Sequence, residues 1–186
     1  KNEKSVKNIF KKINKKFKKI DVVINTAGLI YSSLLFNYQN GTMLKHSFKD
    51  WKNVLSSNLD TTFLSTLYSA EHMIKNDQKG LIINLSSVSA EGNVGQVAYS
   101  SSKAAVETLS KTIAKELSIF GIRVACLAPG FFMTKSTKQS LTINEIEKIK
   151  NNTSVKRFGK ISELVKGVEF IINNRFFNGK TLNLDG

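Results

Sequence analysis

Two short apolar runs limit the folds open to this chain more than any other feature: Gly80-Leu81-Ile82-Ile83-Asn84-Leu85-Ser86-Ser87 and Gly121-Ile122-Arg123-Val124-Ala125-Cys126-Leu127-Ala128-Pro129-Gly130. Their apolar character is nearly continuous, so each reads as a strand covered on both faces, as in a parallel sheet. The first ends in two hydroxyls, the second in a Pro-Gly break before Phe131-Phe132-Met133-Thr134. Between them, residues 99 to about 119 have helical character and stop at Gly121. Strands alternating with helices predict an α/β, doubly wound parallel sheet, whose ligands bind beyond the carboxyl ends of the strands.

Tyr99 and Lys103 stand at the head of that helix, in Tyr99-Ser100-Ser101-Ser102-Lys103. Residues four apart share a helix face, so the phenol and the ammonium can converge on one bound molecule. A free phenol ionises near pH 10, and a cation held nearby favours the phenolate and lowers that value. The pair therefore predicts a general acid or base with its tuner.

Taken in order, Asn25-Thr26-Ala27-Gly28, Asn58, the Ile83–Ser87 strand end, Tyr99 with Lys103, and Pro129-Gly130 with Thr134 resemble the classical short-chain dehydrogenases/reductases. Asn93-Val94-Gly95-Gln96, Arg157-Phe158-Gly159, Gly179-Lys180 and Asp185-Gly186 look most like the 3-oxoacyl-[acyl-carrier-protein] reductases of that family. The resemblance implies a Rossmann-type sheet, a nicotinamide cofactor, NADP(H) in preference to NAD(H), and a carbonyl substrate such as a 3-oxoacyl thioester. It implies catalytic roles for Tyr99 as proton donor, Lys103 as its tuner and ribose ligand, Ser87 as hydrogen-bond donor to the substrate oxygen, and Asn58 as a link to solvent through water. Cofactor contacts are implied for Asn25, Ala27, Gly28, Tyr99, Lys103, Pro129, Gly130, Phe132 and Thr134. A homo-oligomer, dimer or tetramer, is implied as well, with two helices pairing between subunits.

Three departures from the family pattern matter. Thr26 stands where a second Asn is usual, and the Ser87–Tyr99 spacing is one residue shorter than the commonest, which leaves Ser86 as the alternative hydroxyl. No strand with a glycine-rich turn precedes the Asn25 strand, so the adenosine half of the cofactor site and the first strands are missing from the pattern. The Asn25 strand should then be an open edge, and the chain part of a longer polypeptide. A catalytically inert family remnant acting as an oligomerisation or binding module is the rival reading.

The 186 residues, 41% of them hydrophobic, suit one domain, and no apolar run reaches membrane-spanning length. The expectation is a cytoplasmic enzyme without a membrane partner. Net charge is +14, concentrated in a lysine-rich first twenty residues. Val6, Ile9, Phe10, Ile13, Phe17 and Ile20 recur there at helical spacing, which predicts an amphipathic helix covering the sheet with lysines in water, and no nucleic acid. Lys138 falls where acyl-carrier reductases present a cation to their carrier. Cys126, the only cysteine, reads as a buried small hydrophobe. His46 and His72 are expected on a loop and a helix surface without roles. Substrate choice is expected from three mobile stretches, Leu29–Lys45, Ser89–Ala98 and Lys135–Asn152.

Overall fold

Four parallel strands, β1 (Val22–Asn25), β4 (Gly80–Leu85), β5 (Ile122–Pro129) and β6 (Thr181–Leu184), form one sheet in the order β1-β4-β5-β6. The computed structural model describes residues 3–134, 137 and 141–186. Period-two alternation divides the sheet between two helical layers. Ile82 and Val124 face α3 (Thr61–Lys75) and α4 (Val97–Glu116), packing with Ala70, Met73 and Ala114. Leu81, Ile83, Ala125 and Leu127 face the other way, against Ile171 and Val168 of a helix over Ile161–Asn173. Helices on both faces of a parallel sheet make this a doubly wound α/β fold. Cys126 is fully buried in β5, where burial foremost pushes its thiol up to about 11.

Polar side chains tie the sheet to α3 and α4. Asn25 Nδ2 donates to Asn84 Oδ1 at 2.8 Å and to Thr66 Oγ1 at 3.2 Å, and Asn84 Nδ2 donates to Ser110 Oγ at 2.9 Å. Asn84 is fully buried, so a lost partner there goes unreplaced by water. Arg123 secures the opposite layer. Its guanidinium donates to the carbonyls of Ile171, Ile172, Asn174 and Phe177 at 2.9–3.1 Å, and so caps the Ile161–Asn173 helix.

Three expectations change. The amphipathic helix α1 (Glu3–Lys16) packs on α3, through Val6, Phe10, Tyr68 and Leu64, instead of covering the sheet. Ile9 and Phe17 stay exposed, and β1 is an edge strand with Val22 and Ile24 exposed. The stretch expected to be a mobile loop contains a hairpin, β2 (Phe36–Gln39) with β3 (Thr42–Lys45). Asn40 and Gly41 turn it with positive φ of 51° and 76°, the Asn-Gly signature of a tight hairpin. His72 is buried, its Nδ1 against Asn14 Oδ1 of α1, because α1 lies over the α3 face that the sequence reading left to solvent. Of the other two stretches, one contains a 3₁₀ turn over Val88–Glu91; in the other, the Thr142–Glu145 capping box that the sequence pattern offers begins helix α5 (Ile143–Asn152), as expected.

Replacing Asn84 with Ala strands Asn25 and Ser110 inside the protein. It should cost about 2–3 kcal/mol of stability, read as a lower urea midpoint at unchanged slope.

Candidate active site

The carboxyl ends of β1, β4 and β5 open on one cleft of about 380 Å³, lined among others by Gly28, Ser87, Tyr99, Lys103, Phe132 and Thr134. Thr26, Pro129 and Gly130 also line it. Ala27 is exposed. Asn25 is buried behind the cleft with its side chain committed to Asn84, Thr66 and Ser65 Oγ, so only its backbone can meet a ligand.

Tyr99 and Lys103 occupy successive turns near the start of α4, both buried, with the Lys103 ammonium 5.7 Å from the Tyr99 ring centroid. That ammonium donates to the Leu85 carbonyl at 2.8 Å, at the end of β4. Burial raises the Tyr99 phenol above its ordinary value, and the hydrogen bond to Ser87 pulls it back down. Burial likewise lowers Lys103.

The two candidate serines part company at the strand end. Ser86 is buried toward α4, its hydroxyl within reach of the Lys103 carbonyl at 3.1 Å and Glu107 Oε1 at 2.8 Å. Ser87, extended at φ −166° and ψ 154°, caps the following 3₁₀ turn and lines the cleft with Tyr99.

Asn58 owes its position to a break in helical winding. One continuous helical stretch passes from α2 (Phe48–Leu55) through a π turn at Ser56–Asp60 into α3. Such a turn re-aims a side chain without ending the helix. Asn58 is fully buried, accepts from Leu29 N at 2.6 Å, and donates to Leu29 O and Ser102 Oγ at 3.0 and 2.9 Å. Its amide therefore holds the segment after Gly28 against α4.

The ledge after β5 is held from below. Phe132 bridges to Gly159, Gly159 N donates to Phe131 O at 2.9 Å, and Met133 N donates to Gly159 O at 3.1 Å. A Cβ on Gly159 would lie 2.5 Å from the Phe132 ring, so only glycine permits this approach. Beside it, Arg157 clasps Glu163 through two bonds of 2.7 and 2.8 Å, which holds the Glu163 carboxyl down at about 2. Lys138 lies outside the described residues.

Residues 1–145 match the short chain dehydrogenase family. The chain is 36% identical to the 3-hydroxyacyl-CoA dehydrogenase type-2 of Homo sapiens, over 99% of its own length and 72% of that protein. It is 34% identical to the 3-oxoacyl-[acyl-carrier-protein] reductase of Synechocystis, over its whole length and 71% of that protein. Among solved structures, a 4-hydroxyisoleucine dehydrogenase complexed with NADH matches the whole chain and 76% of its own, at a TM-score of 0.85 and 27% identity. The chain belongs to the short-chain dehydrogenase family.

As a member of that family it is an NAD(P)-dependent oxidoreductase, and the cleft fits the nicotinamide-ribose end of such a cofactor. Gly28 leaves open the space a Cβ would take, 3.3 Å from Asn58 Oδ1 and 3.6 Å from Lys103 Nζ. An amide oxygen and an ammonium thus flank a bare backbone position where a hydroxylated ring can enter. Among the described residues no cluster of His, Cys, Asp and Glu could hold a metal ion, and no helix is long and apolar enough to cross a membrane.

Sequence reasoning missed Asn84, Ser102 and Glu107, all committed to holding the site's residues. The parity of β4 was a usable signal for Asn84, since positions 82, 84 and 86 share a face. Nothing local marked Ser102 or Glu107, whose partners lie on other elements.

Gly159→Ala should push Phe132 off its ledge and weaken nicotinamide-nucleotide binding by roughly tenfold, measured by fluorescence titration, with the fold retained in circular dichroism. The Arg157–Glu163 clasp gives a separate expectation for acid. Because the folded carboxyl sits below its unfolded value, its stabilisation is complete above the ordinary glutamate range and is lost as pH falls toward about 2. Glu163→Gln should flatten that part of the curve of melting temperature against pH.

Proposed function

We propose that this protein reduces the carbonyl of a 3-oxoacyl thioester, with NADP(H) used in preference to NAD(H). The observation carrying this reading is the meeting of Tyr99, Ser87 and Lys103 in one cleft at the carboxyl ends of parallel strands. Bound reduced nicotinamide supplies a hydride. Ser87 and the Tyr99 hydroxyl orient the substrate oxygen, and Tyr99 gives it the proton as negative charge develops there. Lys103 stabilises the resulting tyrosinate and holds the ribose hydroxyls, while Asn58 keeps the Gly28 side of the cleft in register and links Lys103 to solvent through water. The backbone at Asn25 and Ala27, with Gly28, Pro129, Gly130, Phe132 and Thr134, bounds the cofactor.

The substrate class draws support from the relatives, one a 3-hydroxyacyl-CoA dehydrogenase and others 3-oxoacyl-[acyl-carrier-protein] reductases. Room for an acyl group comes from a second cleft of about 570 Å³. It shares Val88, Ser89, Gly130 and Phe131 with the first and adds Ile149 and Asn152. Exposed Phe63 and Leu67 on α3, and exposed Ser101 and Ala104 on α4, support a homo-oligomer formed through these helices, which we place in the cytoplasm.

Titration with NADPH and NADH by nicotinamide fluorescence, followed by turnover on 3-oxoacyl thioesters, tests the reading. Tyr99→Phe should bind cofactor normally and lose about 10²–10⁴-fold in turnover. Ser87→Ala should move the pH limb for alcohol oxidation to higher pH, because the phenolate loses the hydrogen bond that favours it. A folded chain that binds neither nucleotide would favour the inert remnant instead.

A further inference from the structure

Glu107 sits half-buried on α4, one turn beyond Lys103, and the proposed chemistry does not use it. Its carboxylate forms no ion pair among the described residues, although burial makes an unpaired charge costly. Its partner is the Ser86 hydroxyl, 2.8 Å from Oε1. That hydroxyl has one proton and two acceptors in reach, the other being the Lys103 carbonyl at 3.1 Å, and the charged acceptor makes the stronger bond.

We propose that Glu107 is a positioning residue for the reaction: by anchoring Ser86 against α4, it fixes the strand end from which Ser87 reaches the Tyr99 phenol. The reason is the pleat. Neighbouring residues in extended backbone point to opposite sides, so locking Ser86 onto α4 commits Ser87 to the other side, whereas a slip of one residue would exchange the two hydroxyls. The strand end is also tied by the Lys103 ammonium to the Leu85 carbonyl. Two successive residues, Leu85 and Ser86, are thus each held to α4 by a different side chain, and Ser87 follows them into the cleft that Tyr99 lines.

The charged and titratable groups around Glu107 are Lys103 and Lys111 on its own helix, Glu91 from the 3₁₀ turn, Asp185 beyond β6 and the Cys126 thiol on β5. Removing the carboxylate changes the field at each of them. The test therefore compares an isosteric neutral acceptor with outright loss.

The inference rests on the Tyr99 and Ser87 roles proposed above, and its test needs neither substrate nor cofactor. Phenolate absorbance is titrated in the wild type, Glu107→Ala and Glu107→Gln, each differenced against the same protein carrying Tyr99→Phe to isolate Tyr99 from the other three tyrosines. Glu107→Ala should move Tyr99 ionisation to higher pH, because Ser87 no longer holds the phenolate. Glu107→Gln keeps an acceptor oxygen and should leave it near the wild-type position. Ser86→Ala, with Glu107 intact, should reproduce the Ala shift and stands in if Glu107→Ala does not fold. In turnover, Glu107→Ala should lower kcat by up to about a hundredfold, with Glu107→Gln rescuing it. Unmoved Tyr99 ionisation in Glu107→Ala and Ser86→Ala, or a Gln variant displaced as far as the Ala one, overturns the inference. A shift as expected in a chain without oxidoreductase turnover upholds the positioning and removes the catalytic reading alone.

Discussion

The carbonyl of Leu85 and the ammonium of Lys103 form the contact on which the site depends. A lysine buried in α4 is costly unless its charge is met, and the end of β4 offers a carbonyl with no sheet partner beyond it. Each satisfies the other at 2.8 Å, which sets the height of the helix on the strand. Ser86 and Ser87 follow directly, one turned to Glu107 and the other to Tyr99. Behind them the Asn25–Asn84–Ser110 bonds keep β1, β4 and α4 from sliding past one another.

Burial acts on Tyr99 and Lys103 in opposite directions. Both charged forms lose water, so the phenol rises and the ammonium falls. A Ser87 hydrogen bond acts against burial and draws the phenol down. Proton readiness at Tyr99 is therefore tied to the geometry of one serine, and through it to the register of β4.

Apolar runs, capping residues and ordered motifs made much of the molecule legible in the sequence. The buried strands Gly80–Leu85 and Ile122–Pro129, the helix carrying Tyr99 and Lys103, the Thr142–Glu145 capping box and the open β1 edge lie where local pattern placed them. The family likewise followed from the order of its motifs. Asn40-Gly41 carried a hairpin signal inside a stretch expected to be a mobile loop. His72 was read as surface because the residue covering it, Asn14, lies 58 positions away.

Local pattern determined which segments are strands and helices, since periodicity and capping depend on residues a few positions apart. It also brought Tyr99 and Lys103 to one helix face, because the helix repeat alone does so. Tertiary structure decided the direction of the Lys103 ammonium, the committed amides of Asn25 and Asn58, and the division of labour between Ser86 and Ser87. Those outcomes turn on desolvation and on partners from distant elements. A chain has neither until its layers have packed.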